Sequence, residues 1–399
     1  VIRIAHVSDT HLGRRELPQY LTNDPDYPDR KVPVREIDLR AAFRACVDAA
    51  IAEGVDLFLH TGDLYDSPVP NFPSIFFAMQ QFRRLSAAGI PSLIVAGNHC
   101  HPHRLDLGHA LHLLQFVPLT TVVADRSEVI SYPDLDLKVL AIPHVAVQDD
   151  ALVAIEEPAA INLAAVHAAV AGDPRYAMNG DESHERLITL TDDLRWFDYV
   201  AFGHYHGFDP IRVSDGLRTF YAGSTERIVI RREFNDDPKG FVLIDLGPDA
   251  RGNARAQVRH VAIATRPVIA LEPVDGYELS VDNILDRLRL VTPPDGFRGC
   301  LVRVIVRNLS DETLYALTDR RIQDVFPDAY LVIDRHALGR DPLSADALPD
   351  YSHGAIEKEL DRLIADATDS EADRDWLRRV GRKYLAGEVD DATALVDPA

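Results

Sequence analysis

Short apolar runs alternate with amphipathic stretches over the first two-thirds of the chain. Ile2–Ser8 reads as a strand. Arg35–Glu53 carries apolar residues at helical spacing, with Ile37, Leu39, Ala42, Phe43, Cys46, Val47 and Ala50 on or near one face. Val55–Leu59 is a buried-type strand, Ser74–Ala88 a second helix ended by Gly89, and Ser92–Ala96 the next strand. This is the rhythm of an α/β domain.

After Val117 the pattern changes to short strands: Thr121–Ala124, Leu137–Ile142, Asn162–His167, Tyr199–Phe202, Phe220–Ala222, Ile228–Ile230, Gly240–Ile244 and Gln257–Ile263. Such a run predicts sheet packed on sheet, an α/β (α+β) sandwich with helices outside. The polar stretch between Val170 and Leu194 reads as a surface loop near the site. A boundary near Thr265–Pro267 closes a first domain, 1–265. Residues 266–345 then alternate strand (Val268–Leu271), helix (Val281–Leu290), strand (Leu301–Val306), helix (Asp311–Ile322) and strand (Ala329–Asp334), a small α+β unit. Residues 346–399 read as two charged helices, Ala355–Asp366 and Ala372–Leu385, with a polar tail.

Composition narrows the class. With 399 residues, 46% hydrophobic and 26% charged, the chain is neither collagen-like nor low-complexity nor wholly disordered. Three cysteines are too few for a disulfide scaffold and fit a reducing compartment. No run approaches a membrane-spanning length, and the first residues read as a strand rather than a secretory signal, so a cytoplasmic location is expected. The formal charge of −21 excludes a basic surface overall. Nucleic acid would have to be met at a local site, through metal ions or through a partner. Lysine is scarce: Lys31, Lys138, Lys239, Lys358 and Lys383 are the whole set.

Histidine- and acid-rich motifs stand at the ends of predicted strands. In Ser8-Asp9-Thr10-His11-Leu12-Gly13, Asp9 and His11 fall on one side of an extended segment. His60-Thr61-Gly62-Asp63 follows the second strand, Gly97-Asn98-His99 the third, and Gly203-His204-Tyr205-His206 the strand at 199–202. His167 ends the strand from Asn162. Each alone has an ordinary explanation: a surface pair, a turn, a solvated strand face, a core histidine. All of them at strand ends, where open α/β sheets build sites, point to a metal centre. Mixed carboxylate, imidazole and amide donors suit Mn, Fe or Zn better than Mg or Ca. Asp9, His11, Asp63, Asn98, His167, His204 and His206 are too many donors for one such ion and about right for two.

In order and type these motifs resemble the calcineurin-like metallophosphoesterase superfamily: D-x-H, G-D, G-N-H, H, then G-H-x-H, over about Ile2–Gly207. The resemblance implies a two-sheet β-sandwich flanked by helices. It implies that Asp9, His11 and His206 hold one divalent ion, that Asn98, His167 and His204 hold the other, and that Asp63 bridges them. It gives His99 no metal but a place against the phosphate and the leaving oxygen. Phe197-Asp-Tyr-Val-Ala-Phe-Gly-His-Tyr-His, Tyr221-Ala-Gly-Ser-Thr-Glu-Arg and Gly62-Asp-Leu-Tyr-Asp further resemble the SbcD family of DNA-repair nucleases. That resemblance implies a 3′-to-5′ exonuclease with endonuclease activity that uses Mn²⁺. It also implies a homodimer through helices of the first domain, a capping domain at 266–345, and C-terminal helices that dock on an SbcC-like coiled-coil ATPase.

Some positions depart from that pattern. Cys100 stands where the family usually has Asp, so altered support of the site is expected. His60 replaces a small or apolar residue and is expected to pack. Asp66 matches the bacterial branch. Arg14, Arg15, Arg227, Arg231 and Arg232 lie beside the motifs and are candidate phosphate partners for DNA, the alternative for each being a surface arginine without a ligand. His101 and His103 are expected to be exposed loop residues. Two competing readings are a phosphodiesterase for small nucleotides and a scaffold without catalysis. The segment 221–227 and the capping unit oppose the first, and the complete ligand set opposes the second.

Overall fold

Period-two burial sorts the strand side chains between separate cores. The computed structural model describes residues 1–15, 19–21, 31–101, 108–147, 155–171, 186–189, 197–211, 219–228, 238–248, 254–293, 296–338 and 378. Contacts divide the chain into two units. One is Val1–Tyr176 with Glu185–Leu338; the other, Ala177–His184 with Gly339–Ala399, lies outside the described residues apart from Arg378. The expected helices Ala355–Asp366 and Ala372–Leu385 therefore fall outside them, as do His103, Arg231, Arg232 and most of the 170–194 stretch.

In chain order the larger unit contains β1 (Ile2–Val7), α1 (Val34–Glu53), β2 (Leu57–Thr61), α2 (Phe72–Ala87), β3 (Ser92–Val95), β4 (Thr120–Val123), β5 (Glu128–Tyr132) and β6 (Leu137–Ile142). It continues with β7 (Ile161–His167), β8 (Tyr199–Gly203), β9 (Thr219–Tyr221), β10 (Gly240–Pro248) and β11 (Ala254–Ala262). One sheet has the order β11-β10-β1-β2-β3-β4; the other runs β9-β8-β7-β6-β5, edged by Asp209–Pro210. Ile4, Leu57, Leu59, Leu93 and Val95 of the first sheet meet Val139, Leu163, Ala165 and Ala201 of the second in one core. The alternate residues Ala5, Val7, Phe58 and Ile94 pack under α1 and α2 against Phe43, Phe77 and Phe82. The fold is thus the expected two-sheet α/β sandwich with helices outside.

Local chemistry sets the element ends. Asn71 caps α2, its side chain accepting from the Ser74 N–H at 2.9 Å, so the helix starts before the expected Ser74. Gly54, with φ of 62°, stops α1 in the left-handed conformation. β5 escapes hydrophobic patterning because most of its side chains are exposed or half-buried. Ile228 is not in a strand, and the rest of the strand expected there, 229–230, lies outside the described residues.

Residues 266–338 build their own parallel sheet and core: β12 (Val268–Ala270), α3 (Val281–Leu290), β13 (Leu301–Leu309), α4 (Asp311–Ala316), α5 (Asp319–Gln323) and β14 (Tyr330–Ala337). The single helix expected over Asp311–Ile322 is two, because Thr318 turns to cap α5, accepting from the Arg321 N–H. At the junction Arg266 grips Asp38 of α1 through Nε (2.9 Å) and Nη2 (2.7 Å), and donates to the Gly299 carbonyl at 2.7 Å. Arg35, fully buried, donates to the same Asp38 at 3.0 Å. The paired charges fix this junction, since an unpaired buried charge is costly.

Register brings the motifs together. Parallel pairing sets Val7 beside His60 and Thr61 beside Val95, and in the second sheet Gly203 beside His167. The carboxyl ends of β1, β2, β3, β7 and β8 therefore open on one place.

Candidate metal centre

Among the described residues, four of the eight non-glycine residues with positive φ belong to the motifs: Asp9 (49°), His11 (50°), Asp63 (51°) and His204 (112°). Such conformations cost about 1–3 kcal/mol each and persist where the surroundings fix them. Here the backbone does so: Asp9 N–H donates to Gly62 O at 3.0 Å, and His11 N–H to Asp63 O at 2.9 Å. Two glycines permit the approach of the strands. A Cβ at Gly62 would lie 1.9 Å from His167 Nδ1, and one at Gly97 would lie 2.2 Å from Asp63 Oδ1.

Hydrogen bonds orient the donors. His11 donates from Nδ1 to Asp66 Oδ1 at 3.0 Å, and His167 from Nδ1 to the Thr61 carbonyl at 2.8 Å. Both Nε2 atoms then present lone pairs to the centre. Asp63 Oδ2 lies between them, 3.4 Å from His167 Nε2 and 3.9 Å from His11 Nε2. Its Oδ1 accepts the His99 backbone N–H at 2.9 Å. Asn98 Oδ1 is 3.0 Å from His167 Nε2. The Asp9 carboxylate accepts the His204 backbone N–H at 3.1 and 3.2 Å. Three donor groups result: Asp9–His11–His206, His11–Asp63–His99 and Asp9–Asp63–His167.

The residues fit a cation. His11 Nε2 is buried without a hydrogen-bond partner, facing a carboxylate, with a lone pair where a hydrogen would be needed. In the metal-free chain His167 carries the balancing proton. Burial opposes the charged form of His167, but Asp63, by charge and hydrogen bond, and Asp9 outweigh it and push the imidazole up to about 9. Burial likewise opposes the Asp63 carboxylate, yet His167 and His11 hold it far below the ordinary carboxylate range. Asp9 is pushed up, by burial and then by Asp63, as expected of two acids sharing one pocket. His206 is pushed well down, by burial first and then by His11 and Lys239, and so is neutral and fit to ligate.

A sign follows for pH. The raised His167 value stabilises the metal-free fold fully below about 6.5, and this is lost as pH rises through about 9. A metal held at His167 would displace that proton. Adding Mn²⁺ to metal-free protein in unbuffered solution at pH 7.5 should release about one proton per chain. No release would remove His167 from the ligand set.

A family model for calcineurin-like phosphoesterases matches residues 2–208, the stretch that contains every one of these donors. The chain belongs to this family. Several relatives carry the name DNA double-strand break repair protein Mre11. That of Halobacterium salinarum is 28% identical over 99% of this chain and 97% of its own length. That of Thermoplasma acidophilum is 27% identical over 84% of each chain. That of Methanocaldococcus jannaschii is 30% identical over 60% of this chain and 61% of its own. As a calcineurin-like phosphoesterase, the chain is a metal-dependent hydrolase of phosphoesters.

Of the remaining candidates, His204 lies with its ring 5.4 Å from that of His167, outside the three donor groups. His99 donates from Nδ1 to the Asp66 carbonyl at 3.1 Å, its ring 4.8 Å from that of His11. Arg14 donates to Asp66 Oδ1 at 2.9 Å, the oxygen that also orients His11. Arg15 pairs with Glu36 at 3.2 Å, and Arg227 reaches Thr265 Oγ1 beside the Arg266–Asp38 pair, so neither is drawn to the donor groups. His60 packs as expected, its ring against Phe43 and Nε2 on Thr10 Oγ1 at 2.9 Å. Cys100 is buried in the apolar core beneath the site, Sγ 3.8 Å from the Tyr65 carbonyl, and burial pushes its thiol up to about 12.

Motif reading misses His144. It follows the carboxyl end of β6, stacks on His204 at 6.3 Å, lies 6.0 Å from His167, and buries an Nδ1 without a partner. The strand-end rule that selected the other histidines also selects this one. His6 also lies outside the motifs; it is buried between Tyr199 OH (3.0 Å) and Thr61 Oγ1 (2.9 Å), tying the two sheets below the site.

Proposed function

We propose that this chain is a two-metal DNA nuclease of the SbcD and Mre11 kind, cleaving phosphodiesters as a 3′-to-5′ exonuclease and endonuclease in double-strand-break repair. The observation that carries it is the convergence of His11 Nε2, His167 Nε2 and both carboxylates on one buried point, in a chain whose relatives are named for DNA repair. Asp9, His11 and His206 would hold one ion, Asn98, His167 and His204 the other, with Asp63 between. Mn²⁺ suits this mixed oxygen and nitrogen set. Such ions supply Lewis-acid stabilisation of the phosphoryl oxygens and an acidified water nucleophile. Asp66 orients His11, and Thr61 orients His167, so both imidazoles are aligned before substrate arrives. His99, anchored through Nδ1, keeps Nε2 for the phosphate and the leaving oxygen.

Arg14, Arg15 and Arg227 are the proposed DNA phosphate contacts. With a charge of −21 the chain would bind DNA weakly and with strong salt dependence, so a partner is needed for affinity. That partner would be an SbcC-like coiled-coil ATPase docking on 346–399. The homodimer reading is supported by exposed Phe72, Phe76 and Phe116 on α2 and the 110–116 turn. No helix among the described residues is long and apolar enough to cross a membrane. A DNA substrate would put the work at the nucleoid.

The test is incubation with end-labelled duplex and single-stranded DNA, with and without Mn²⁺, against Asp63→Ala as control. Mn²⁺-dependent degradation absent from the variant is expected, with polarity read from the product ladder. Turnover of bis-p-nitrophenyl phosphate without DNA degradation would favour the small-substrate phosphodiesterase. A purified protein without stoichiometric metal would favour the scaffold.

A further inference from the structure

Lys239 is one of five lysines in 399 residues, and it is 5% exposed. An ammonium taken from water is costly unless it is paired or hydrogen-bonded. Its place follows from topology. β10 runs antiparallel to β1, with Val242 opposite His6. The residue before β10 therefore stands at the edge of the sheet where β1 delivers Asp9 and His11. From there Lys239 Nζ donates to the backbone carbonyl of His206 at 2.7 Å. The same carbonyl accepts Ser224 N–H at 3.0 Å and Ser224 Oγ–H at 3.2 Å. Three donors, one of them charged, saturate a carbonyl oxygen, and the charged one is the strongest.

His206 needs this restraint. It lies three residues beyond the end of β8, past the ladder that fixes Gly203 against His167. Its ring meets His11 edge-on at 5.1 Å, and its donor atom joins Asp9 and His11 in one group. We propose that Lys239 is a positioning residue, its ammonium clamping the His206 carbonyl and thereby holding that imidazole in the Asp9–His11–His206 group. The inference rests on the reading that this group holds a metal. Lys239 touches no reacting atom; it acts through the backbone of its neighbour. It also makes the two halves of the centre unequal, since Asn98 and His167 are held by other bonds.

The experiment compares wild type, Lys239→Met and Lys239→Arg by Mn²⁺ stoichiometry and affinity, and by melting temperature in EDTA. Wild type should bind two ions. Lys239→Met should keep one unchanged and bind the other roughly 10–100-fold more weakly, with its metal-free melting temperature close to wild type. Lys239→Arg, which keeps a charged donor, should recover the weakened ion in part. If Lys239→Met binds both ions as wild type does, the inference is overturned. It is also overturned if both ions weaken together with a matching fall in metal-free stability. Should Lys239→Met fail to fold, Ser224→Ala removes a weaker donor from the same carbonyl and should weaken the same ion alone by a smaller factor; unchanged binding there also overturns it. Wild type without two ions would sink the metal reading instead.

Discussion

Asp63→Ala protein is expected to bind no metal tightly at either position and to lose phosphodiester hydrolysis by roughly 10⁴-fold or more. Asp63 faces both oriented imidazoles, with Oδ2 3.9 Å from His11 Nε2 and 3.4 Å from His167 Nε2. Removing it takes away a negative charge that faces both imidazoles. Asp63→Asn separates charge from shape. It retains an oxygen for the His99 backbone N–H, bonded at 2.9 Å in the native chain, and should keep the loop in place. Metal should still be lost, because an amide is a poor bridging ligand. Atomic absorption after gel filtration, beside activity on a small diester, measures both. Stoichiometric metal in Asp63→Asn, with activity retained, would show that Asp63 does not join the two positions.

Without metal the effect reverses. Burial of the Asp63 charge is compensated by protonated His167, so removing one partner changes what the other does. In EDTA, the His167 of Asp63→Asn loses its strongest positive support, and its titration should fall from about 9. The pH-dependent loss of metal-free stability between about 6.5 and 9 should shrink with it.

The donors were legible because their chemistry repeats where parallel strands end. Asp9, Asp63, His99 and His167 each follow an apolar run by a residue or a few, and register sets those ends side by side. The helix and strand positions read well where burial is one-sided, as in α3, found at Val281–Leu290. Reading failed where local or distant bonds decide. Thr318 splits a helix whose periodicity is unbroken. β5 pairs through its backbone while its side chains are exposed or only half-buried. Lys239 shares no motif with His206, and 33 positions separate them; only the antiparallel return of β10 makes them neighbours. Arg14, Arg15 and Arg227 looked alike in sequence, but Asp66, Glu36 and Thr265 hold them in three different places.

His99→Ala should leave both metal positions filled while turnover falls by roughly 10²–10⁴-fold, the range of a lost general acid or charge stabiliser. The contacts explain the separation. What His99 gives Asp63 is its backbone N–H, which alanine also has. Its ring makes one bond, Nδ1 to the Asp66 carbonyl at 3.1 Å, and meets the His11 ring edge-on. The ring nonetheless reaches His11 and Asp63 closely enough to form a third donor group, so ligand and proton donor must be told apart by experiment. The leaving group does this. A DNA 3′-oxygen needs a proton as it departs, whereas p-nitrophenolate does not. If His99 supplies that proton, the deficit of His99→Ala should be large on DNA and should shrink by at least about tenfold on a p-nitrophenyl diester. An equal deficit on both, with metal retained, places the imidazole on the phosphoryl oxygens instead. Loss of an ion from His99→Ala would make it a ligand and would move the proton donor elsewhere in the centre, with His144, whose Nδ1 has no partner, the next residue to test.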